Sequence, residues 1–188
     1  MINNTKVYGL ENAIRCSKFP MATDVDSVNQ DVTSRVLKLG NSNIGEGHNQ
    51  FLTGIVVQFD LTCTVKMWTE AERYHFFDFI SSQSTMHRIA KFDIKSQCNE
   101  YVTDNTIKEV EKLKEIYLET NDKEDYLKLL YNTPTGFQLT AGMTTNYRQL
   151  KTIHSQRKNH RLPEWREFCK WIEELPMFKE LCLGGDTE

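Results

Sequence analysis

The chain has 188 residues, a length that suits one domain, so we expect a single domain over residues 1–188. With 39% hydrophobic and 26% charged residues, it has the composition of a folded globular protein and not of a disordered chain. A net charge of −3 argues against a general nucleic-acid coat, which carries a basic excess.

The first half of the chain predicts few regular elements. A short strand is expected to start near residue 6, and residues 20–50, rich in Asn, Ser, Asp and Gly, predict a loop with room for one helical turn. Residues 55–65 alternate apolar and polar side chains, which indicates a strand with one buried face. The capping box formed by Thr69 and Glu72 predicts a helix over about residues 70–82.

The second half is predicted to be mostly helical. Apolar residues recur at helical spacing, and helices are expected over about residues 106–119, 123–131, 146–156 and 163–175. Thr144 or Thr145 is expected to cap the third of these helices, and Pro163 to begin the fourth. Few strands, more helix and no βαβ alternation together predict an α+β fold.

The cysteines and apolar runs indicate the environment of the protein. The five cysteines are odd in number, widely spaced and without a Cys-x-x-Cys pair, so we expect reduced thiols, no disulfide framework and no zinc site. No apolar run reaches the roughly 20 residues that span a bilayer, and the first residues show no apolar signal core. A cytoplasmic protein without a metal site is therefore expected.

Two polar segments carry most of the predicted chemistry. The first is the loop around Met86, His87 and Arg88, in which hydrogen-bonding and apolar side chains alternate, as expected of an anchored ligand site. The second begins with Asn146 and Arg148, which are expected in the first turn of a helix, where free backbone N–H groups attract anions. A solvated helix face is the competing interpretation of its basic residues.

These segments resemble the two signature segments of the flavin-dependent thymidylate synthase family. The family shows Arg-His-Arg, seven residues and Ser in the first segment, and Met86 stands here in place of the first Arg. The family's second segment is Asn-x-Arg-x-Leu followed by a distal Arg. This chain matches the two segments at His87, Arg88, Ser96, Asn146, Arg148, Leu150 and Arg157. It also matches the family's Gln ahead of the first segment, at Gln83, and its Gly-His pair, at Gly47-His48.

The resemblance implies a small central, mostly antiparallel sheet with flanking helices and a homotetramer with its sites between subunits. It implies FAD as cofactor, NADPH as reductant, methylenetetrahydrofolate as carbon donor and dUMP as substrate. Residues expected to hold the flavin are His48, His87, Arg88, Asn146 and Arg148. Residues expected to face the nucleotide are Gln83, Ser96 and Arg157, and Arg157 is expected to be catalytic because a cation at the uracil edge stabilises developing negative charge.

Departures from the family pattern keep other functions open. Met86 and Leu130 stand where the family carries arginines, and each lost charge-assisted contact removes roughly 1.5–3 kcal/mol of binding. The alternatives are a non-catalytic relative that binds flavin or nucleotide, and an enzyme that makes a hydroxymethyl pyrimidine nucleotide. A nucleic-acid-binding module that uses the basic segment from Arg148 to Lys170 is disfavoured by the acidic net charge.

Overall fold

The computed structural model describes residues 1–185 and shows an α+β fold. Its strands are β1 (Ile2–Tyr8), β2 (Val56–Thr64), β3 (Asp78–Ser82) and β4 (Gln138–Asn146). They form one antiparallel sheet in the order β1-β2-β4-β3. The predicted small antiparallel sheet with flanking helices is confirmed.

The helices of the described residues flank this sheet. They are α1 (Leu10–Cys16), α2 (Ser34–Asn41), α3 (Val65–Ala71), α4 (Thr85–Arg88), α5 (Ile94–Gln97), α6 (Asp104–Thr120), α7 (Lys123–Tyr131), α8 (Tyr147–Arg157) and α9 (Pro163–Glu173). Helices α6 to α9 confirm the four helices predicted in the second half. No helix within residues 1–185 is both long and apolar enough to span a membrane.

The helix predicted over residues 70–82 is wrong. Helix α3 begins earlier, where the Thr64 hydroxyl accepts a hydrogen bond from the Met67 amide at 3.2 Å, and it ends at Ala71. Phe76 then adopts a left-handed conformation with φ of 58°, which a helix cannot contain. Beyond it the chain forms β3, in which every residue is exposed.

Three further elements differ from the sequence prediction. Strand β1 starts before residue 6, and helix α2 forms two turns in the region predicted as loop. No strand was predicted in the region of β4. The cap of α8 is Asn146 and not Thr144 or Thr145, because the Asn146 side chain accepts the Gln149 amide at 2.9 Å. An amide oxygen at the cap satisfies a backbone N–H of the first turn.

Contacts divide the chain into two compact units. The first contains Met1, Leu61–Arg73 and Phe79–Gly142, and the second contains Ile2–Asp60, Tyr74–Asp78 and the described residues from Met143 onward. A single domain over residues 1–188 stays a prediction, and residues 186–188 lie outside the described part of the chain.

The core of the first unit anchors the Met86 segment. Ile89 and Ile94, which flank that segment, are buried with residues of α6 and α7 and with Phe137. The ring of Phe92 packs edge-on against Phe137 at 5.6 Å between centroids. Lys114 donates a hydrogen bond to the Phe92 carbonyl at 2.6 Å. The segment is therefore packed into place, as its interspersed apolar residues predict.

The core of the second unit is aromatic and supports α8. Phe59 of β2 contacts Phe168 at 5.9 Å and Trp171 at 4.5 Å between ring centroids. On α8, Tyr147, Leu150 and Ile153 are fully buried. The polar residues between them on this helix are consequently turned toward the outside of the core.

Candidate functional site

The first turn of α8 lines a cleft of about 560 Å³, which we call the α8 cleft. Asn146 and Arg148, both predicted as flavin-holding residues, lie in its wall. Polar side chains that share the lining are Gln50, Thr53, His75, Gln149 and Thr152. The cleft thus combines amides, hydroxyls and one guanidinium at a helix N-terminus, where backbone N–H groups favour negative charge.

Arg148 is fixed in this cleft by two backbone-supported contacts. Its Nε donates to the Asn49 side-chain oxygen at 3.1 Å, and its Nη2 donates to the Ile44 carbonyl at 3.1 Å. Asn49 is fully buried and donates in turn to the Ser42 carbonyl at 3.0 Å. The charge of Arg148 is therefore held in one position before any ligand arrives, which reduces the ordering cost of binding.

Lys151, one turn further along α8, holds the same chain segment that Arg148 contacts. Its Nζ donates to the carbonyls of Gly40 at 2.7 Å and Ser42 at 2.8 Å. Burial lowers the pKa of Lys151, since a low-dielectric surrounding penalises the charged form. Arg148 and Lys151 are three residues apart on α8, and both hold the segment that contains Ser42 and Asn49.

His87 and Arg88 line a separate cleft within the first unit, which we call the α4 cleft. It measures about 670 Å³ and is bounded by α4 and by the connection between α6 and α7. The Tyr126 hydroxyl donates to the Met86 carbonyl at 2.6 Å and fixes the segment from the far side. The Met86 side chain is 58% exposed and lines this cleft, so this position faces solvent.

Gln83 and Ser96 of the first unit already make contacts within the protein. The Gln83 side-chain oxygen accepts the Thr140 amide at 2.9 Å, and the Gln83 amide donates to the Thr140 carbonyl at 2.9 Å. The Ser96 hydroxyl donates to the Asp93 carbonyl at 3.1 Å in the first turn of α5. Their roles toward a nucleotide stay predictions.

Arg157, the predicted catalytic residue, lies in a buried cluster at the end of α8. It is only 6% exposed, and its Nε donates to the Tyr74 hydroxyl at 2.7 Å. Its Nη1 contacts Nε2 of His160 at 2.7 Å, and its guanidinium carbon lies 4.9 Å from the centre of the Trp165 ring. The cation is thus enclosed by hydrogen bonds and π-faces, and its catalytic role stays a prediction.

His48 does not line the α8 cleft, although it neighbours Asn49. Its side chain lines a third cleft, between α2 and the turn that follows Ile44. The structure therefore brings together two of the predicted flavin residues, Asn146 and Arg148, at one cleft and His87 with Arg88 at another. A junction of the two segments in one site stays a prediction.

Several polar residues of the α8 cleft were missed at the sequence level. Arg148 and Thr152 are four residues apart on a predicted helix and so share a face, which was an available signal. Gln50, Thr53 and His75 come from distant segments without a motif. Only the fold places them beside α8.

The fold is similar to solved structures of flavin-dependent thymidylate synthases. A crystal structure of this enzyme, ThyX, from Helicobacter pylori, complexed with FAD and dUMP, has a TM-score of 0.75 with 14% sequence identity over 95% of each chain. A second structure of the H. pylori enzyme with FAD and dUMP has a TM-score of 0.76 with 14% identity over 96% of this chain and 95% of the other. No family model matches the sequence, and no curated protein matches it.

Proposed function

We propose that this protein is a flavin-dependent enzyme that transfers a one-carbon unit from methylenetetrahydrofolate to C5 of a deoxyuridylate-type nucleotide. The observation that carries the proposal is the α8 cleft. Asn146 and Arg148, two residues of the second sequence motif, line this cleft in a chain whose fold is similar to that of flavin-dependent thymidylate synthases.

The α8 cleft has a donor set that fits FAD. The ring of a flavin presents carbonyl and ring-nitrogen acceptors, and its pyrophosphate is anionic. Gln50, Asn146 and Gln149 offer amide donors, and Arg148 offers a positive charge that its hydrogen bonds to Asn49 and Ile44 hold in place. We propose that these residues, with His87 and Arg88, hold the cofactor.

The reaction chemistry assigns distinct tasks to cofactor and protein. The carbon of methylenetetrahydrofolate is at the oxidation level of formaldehyde, so a methyl product requires two electrons, for which we propose NADPH as the source. When bound, FAD would supply hydride transfer, which no side chain can perform. The protein then has to orient the pyrimidine and stabilise negative charge on it.

We propose Arg157 as the residue that stabilises this charge. Its guanidinium is held by Tyr74 and His160 in a buried cluster, so contact with a nucleotide requires the cluster to open. A nucleotide oxygen that replaces the Tyr74 hydroxyl as acceptor would keep the guanidinium hydrogen-bonded. Gln83 and Ser96 are proposed to face the same nucleotide.

A homotetramer with sites between subunits is part of the proposal. Strand β3 is an outer strand of the sheet, and Phe79 and Ile80 on it are 47% and 59% exposed. Large apolar side chains on an unpaired strand edge are costly to leave in water and favour aggregation, so a partner that covers them is expected. Analytical ultracentrifugation should give four times the mass of the chain.

Flavin binding by the purified chain tests the proposal directly. Added FAD should lose fluorescence on binding, and Gln149→Ala should weaken this binding by about tenfold, as expected when one hydrogen bond of roughly 1.4 kcal/mol is lost. Lys158→Ala, an exposed residue outside the cleft, should not change it. Failure of the wild-type chain to bind FAD would overturn the proposal.

Product analysis separates the methyl transfer from its alternative. Incubation with dUMP, methylenetetrahydrofolate and NADPH should give a product heavier by one methylene group, with one NADPH oxidised per product. A hydroxymethyl product needs water and no net reduction, so it would form without NADPH consumption. The mass of the nucleotide and the NADPH balance together identify the reaction.

A non-catalytic relative is the second candidate, and the surroundings of Met86 favour it. The position that carries the first motif arginine in the family is an exposed thioether here, and it cannot donate a hydrogen bond to a phosphate. FAD or dUMP binding with neither NADPH oxidation nor a modified nucleotide product in the presence of all substrates would support this candidate. Met86→Arg should then strengthen nucleotide binding.

A further inference from the structure

The third cleft, which we call the α2 cleft, has the features of a separate ligand site. It encloses about 710 Å³ between α2 and the turn that follows Ile44. Its lining includes the basic side chains Arg35, Lys38 and His48, with Leu39 as an apolar contribution. None of these residues lines the α8 cleft.

The backbone that forms this cleft is fixed without a ligand. A methyl group on Gly40 would lie 2.3 Å from the Leu181 carbonyl oxygen, so α2 packs directly on the backbone of the helical turn Lys179–Leu183. The Asn41 side chain donates to the Glu180 carbonyl at 2.7 Å. Lys151 also holds the end of α2, because its Nζ donates hydrogen bonds to the carbonyls of Gly40 and Ser42. Because this wall is already ordered, binding of a ligand loses little further conformational entropy.

The basic side chains that line the cleft outnumber its acidic ones. Glu46 is the one acidic residue of the lining, and its carboxylate accepts a hydrogen bond from the Asn43 amide at 2.9 Å. Across residues 1–185, neither Arg35 nor Lys38 forms an ion pair or a side-chain hydrogen bond. Two cations beside one concave surface attract an anion, and the concavity strengthens their field.

We propose that the α2 cleft binds a small organic anion with an apolar body. The anionic group, a carboxylate or a phosphate monoester, pairs with Arg35 and Lys38, and His48 offers a further donor. The apolar body packs on Leu39 and on the aliphatic stems of the two basic side chains. A guanidinium suits either anion because its planar fork bonds two oxygens at once.

Calorimetric titration of the full chain with four probes tests the proposal. Benzoate and phenyl phosphate represent the two anionic groups on one apolar body, benzamide removes the charge, and inorganic phosphate removes the body. At least one of the first two should bind, and benzamide and inorganic phosphate should each bind at least tenfold more weakly. The stronger of the first two identifies the anionic group.

Variants locate the binding in the cleft. Arg35→Gln and Lys38→Gln should each weaken the binding of the probe by about tenfold, and a higher salt concentration should weaken this binding as well. Lys108→Gln, an exposed position on α6, makes the same charge change elsewhere and should have no effect. In NMR spectra, saturation of the chain with the bound probe should shift the ring resonances of His48. The ring resonances of His75, which lines the α8 cleft, should not change.

Three results would overturn the inference. These are no binding of either aromatic anion at millimolar concentration, equal binding of benzamide and benzoate, and binding that neither Arg35→Gln nor Lys38→Gln weakens. Because Arg35 and Lys38 lie outside the α8 cleft, each of these results leaves the flavin proposal standing. Conversely, a failure of the chain to bind FAD would not contradict anion binding in the α2 cleft.

Discussion

Removal of the Tyr74 hydroxyl tests whether Arg157 is held in its buried cluster. Tyr74 is 8% exposed, accepts a hydrogen bond from Arg157 Nε at 2.7 Å and donates one to the Gln156 side chain at 2.9 Å. Tyr74→Phe keeps the ring, which packs against Trp165 at 5.9 Å, and deletes only these two hydrogen bonds. The effect of this substitution therefore measures how much the two hydrogen bonds contribute to the free energy of unfolding.

The expected loss of stability follows from the charge of Arg157. A hydrogen bond to a charged group contributes roughly 1.5–3 kcal/mol, and a neutral one contributes about 0.5–1.5 kcal/mol. We expect Tyr74→Phe to lower the free energy of unfolding by about 2 kcal/mol. For a chain of this length, that corresponds to a melting temperature lower by about 4–8 °C.

Two other tyrosines provide matched controls. Tyr147 is fully buried, and its hydroxyl donates to the neutral Pro176 carbonyl at 2.7 Å, so Tyr147→Phe should cost about 1 kcal/mol. Tyr131 is 83% exposed, and Tyr131→Phe should change nothing measurable. Urea unfolding followed by tryptophan fluorescence gives all three values. If Tyr74→Phe costs no more than Tyr131→Phe, Arg157 is not held by Tyr74 and the argument fails.

Three further predictions follow from single contacts. Gly40→Ala should destabilise by about 1–3 kcal/mol in urea unfolding, because of the contact with Leu181, whereas Gly45→Ala, with open space around it, should be neutral. Asn146→Ala should cost about 1 kcal/mol through loss of the α8 cap and should also weaken FAD binding. Burial raises the pKa of Cys182 to about 12 and of Cys169 to about 11, so the folded state keeps both protons where unfolded thiols lose them. Stability should therefore be fully present below about pH 9 and fall as pH rises toward these values, and Cys182→Ala should flatten the decline in unfolding measurements.

The helices were predictable where their signals are local. In α9, Pro163 at the first turn and the buried stripe of Trp165, Phe168 and Ile172 lie within one segment of chain. The limits of α7 follow from Asp122, whose side chain accepts the Glu124 amide at 2.8 Å, and from the residues before Pro134. Caps and periodicity act within a few residues, so the sequence alone contains them.

Strand β4 escaped prediction because few of its buried side chains favour strands strongly. Its buried face consists of Ala141, Met143 and Thr145, of which only Thr145 is β-branched, and it lacks the large apolar side chains of the buried face of β2. A central position between β2 and β3 makes the segment a strand, and that position depends on pairing with distant residues. The false helix over residues 70–82 has the opposite cause: Thr69 and Glu72 have capping-box spacing but lie inside and at the end of α3.

The motif residues at the α8 cleft show how far local pattern extends. Asn146 and Arg148 are two residues apart, so one helix start places both, and the sequence was sufficient to pair them. The contacts that fix Arg148, to Ile44 and Asn49, span about a hundred residues and could not be read from spacing. Sequence thus identified the chemical groups, and the fold supplied the support that gives them one position.

Arg157 illustrates the remaining step from residue type to function. The resemblance to the thymidylate synthase family implied a role for Arg157 at a developing negative charge, and the structure shows that this cation is already hydrogen-bonded and enclosed. A ligand that displaces the Tyr74 hydroxyl from Arg157 must offer an acceptor at least as good as that hydroxyl. An anionic or carbonyl oxygen meets that condition, since exchange of one charge-assisted hydrogen bond for another is nearly neutral in free energy. If Arg157 binds a nucleotide as we propose, the cluster would open for a ligand with such an acceptor and stay closed for one without it, and Tyr74 and His160 would then contribute to ligand selection.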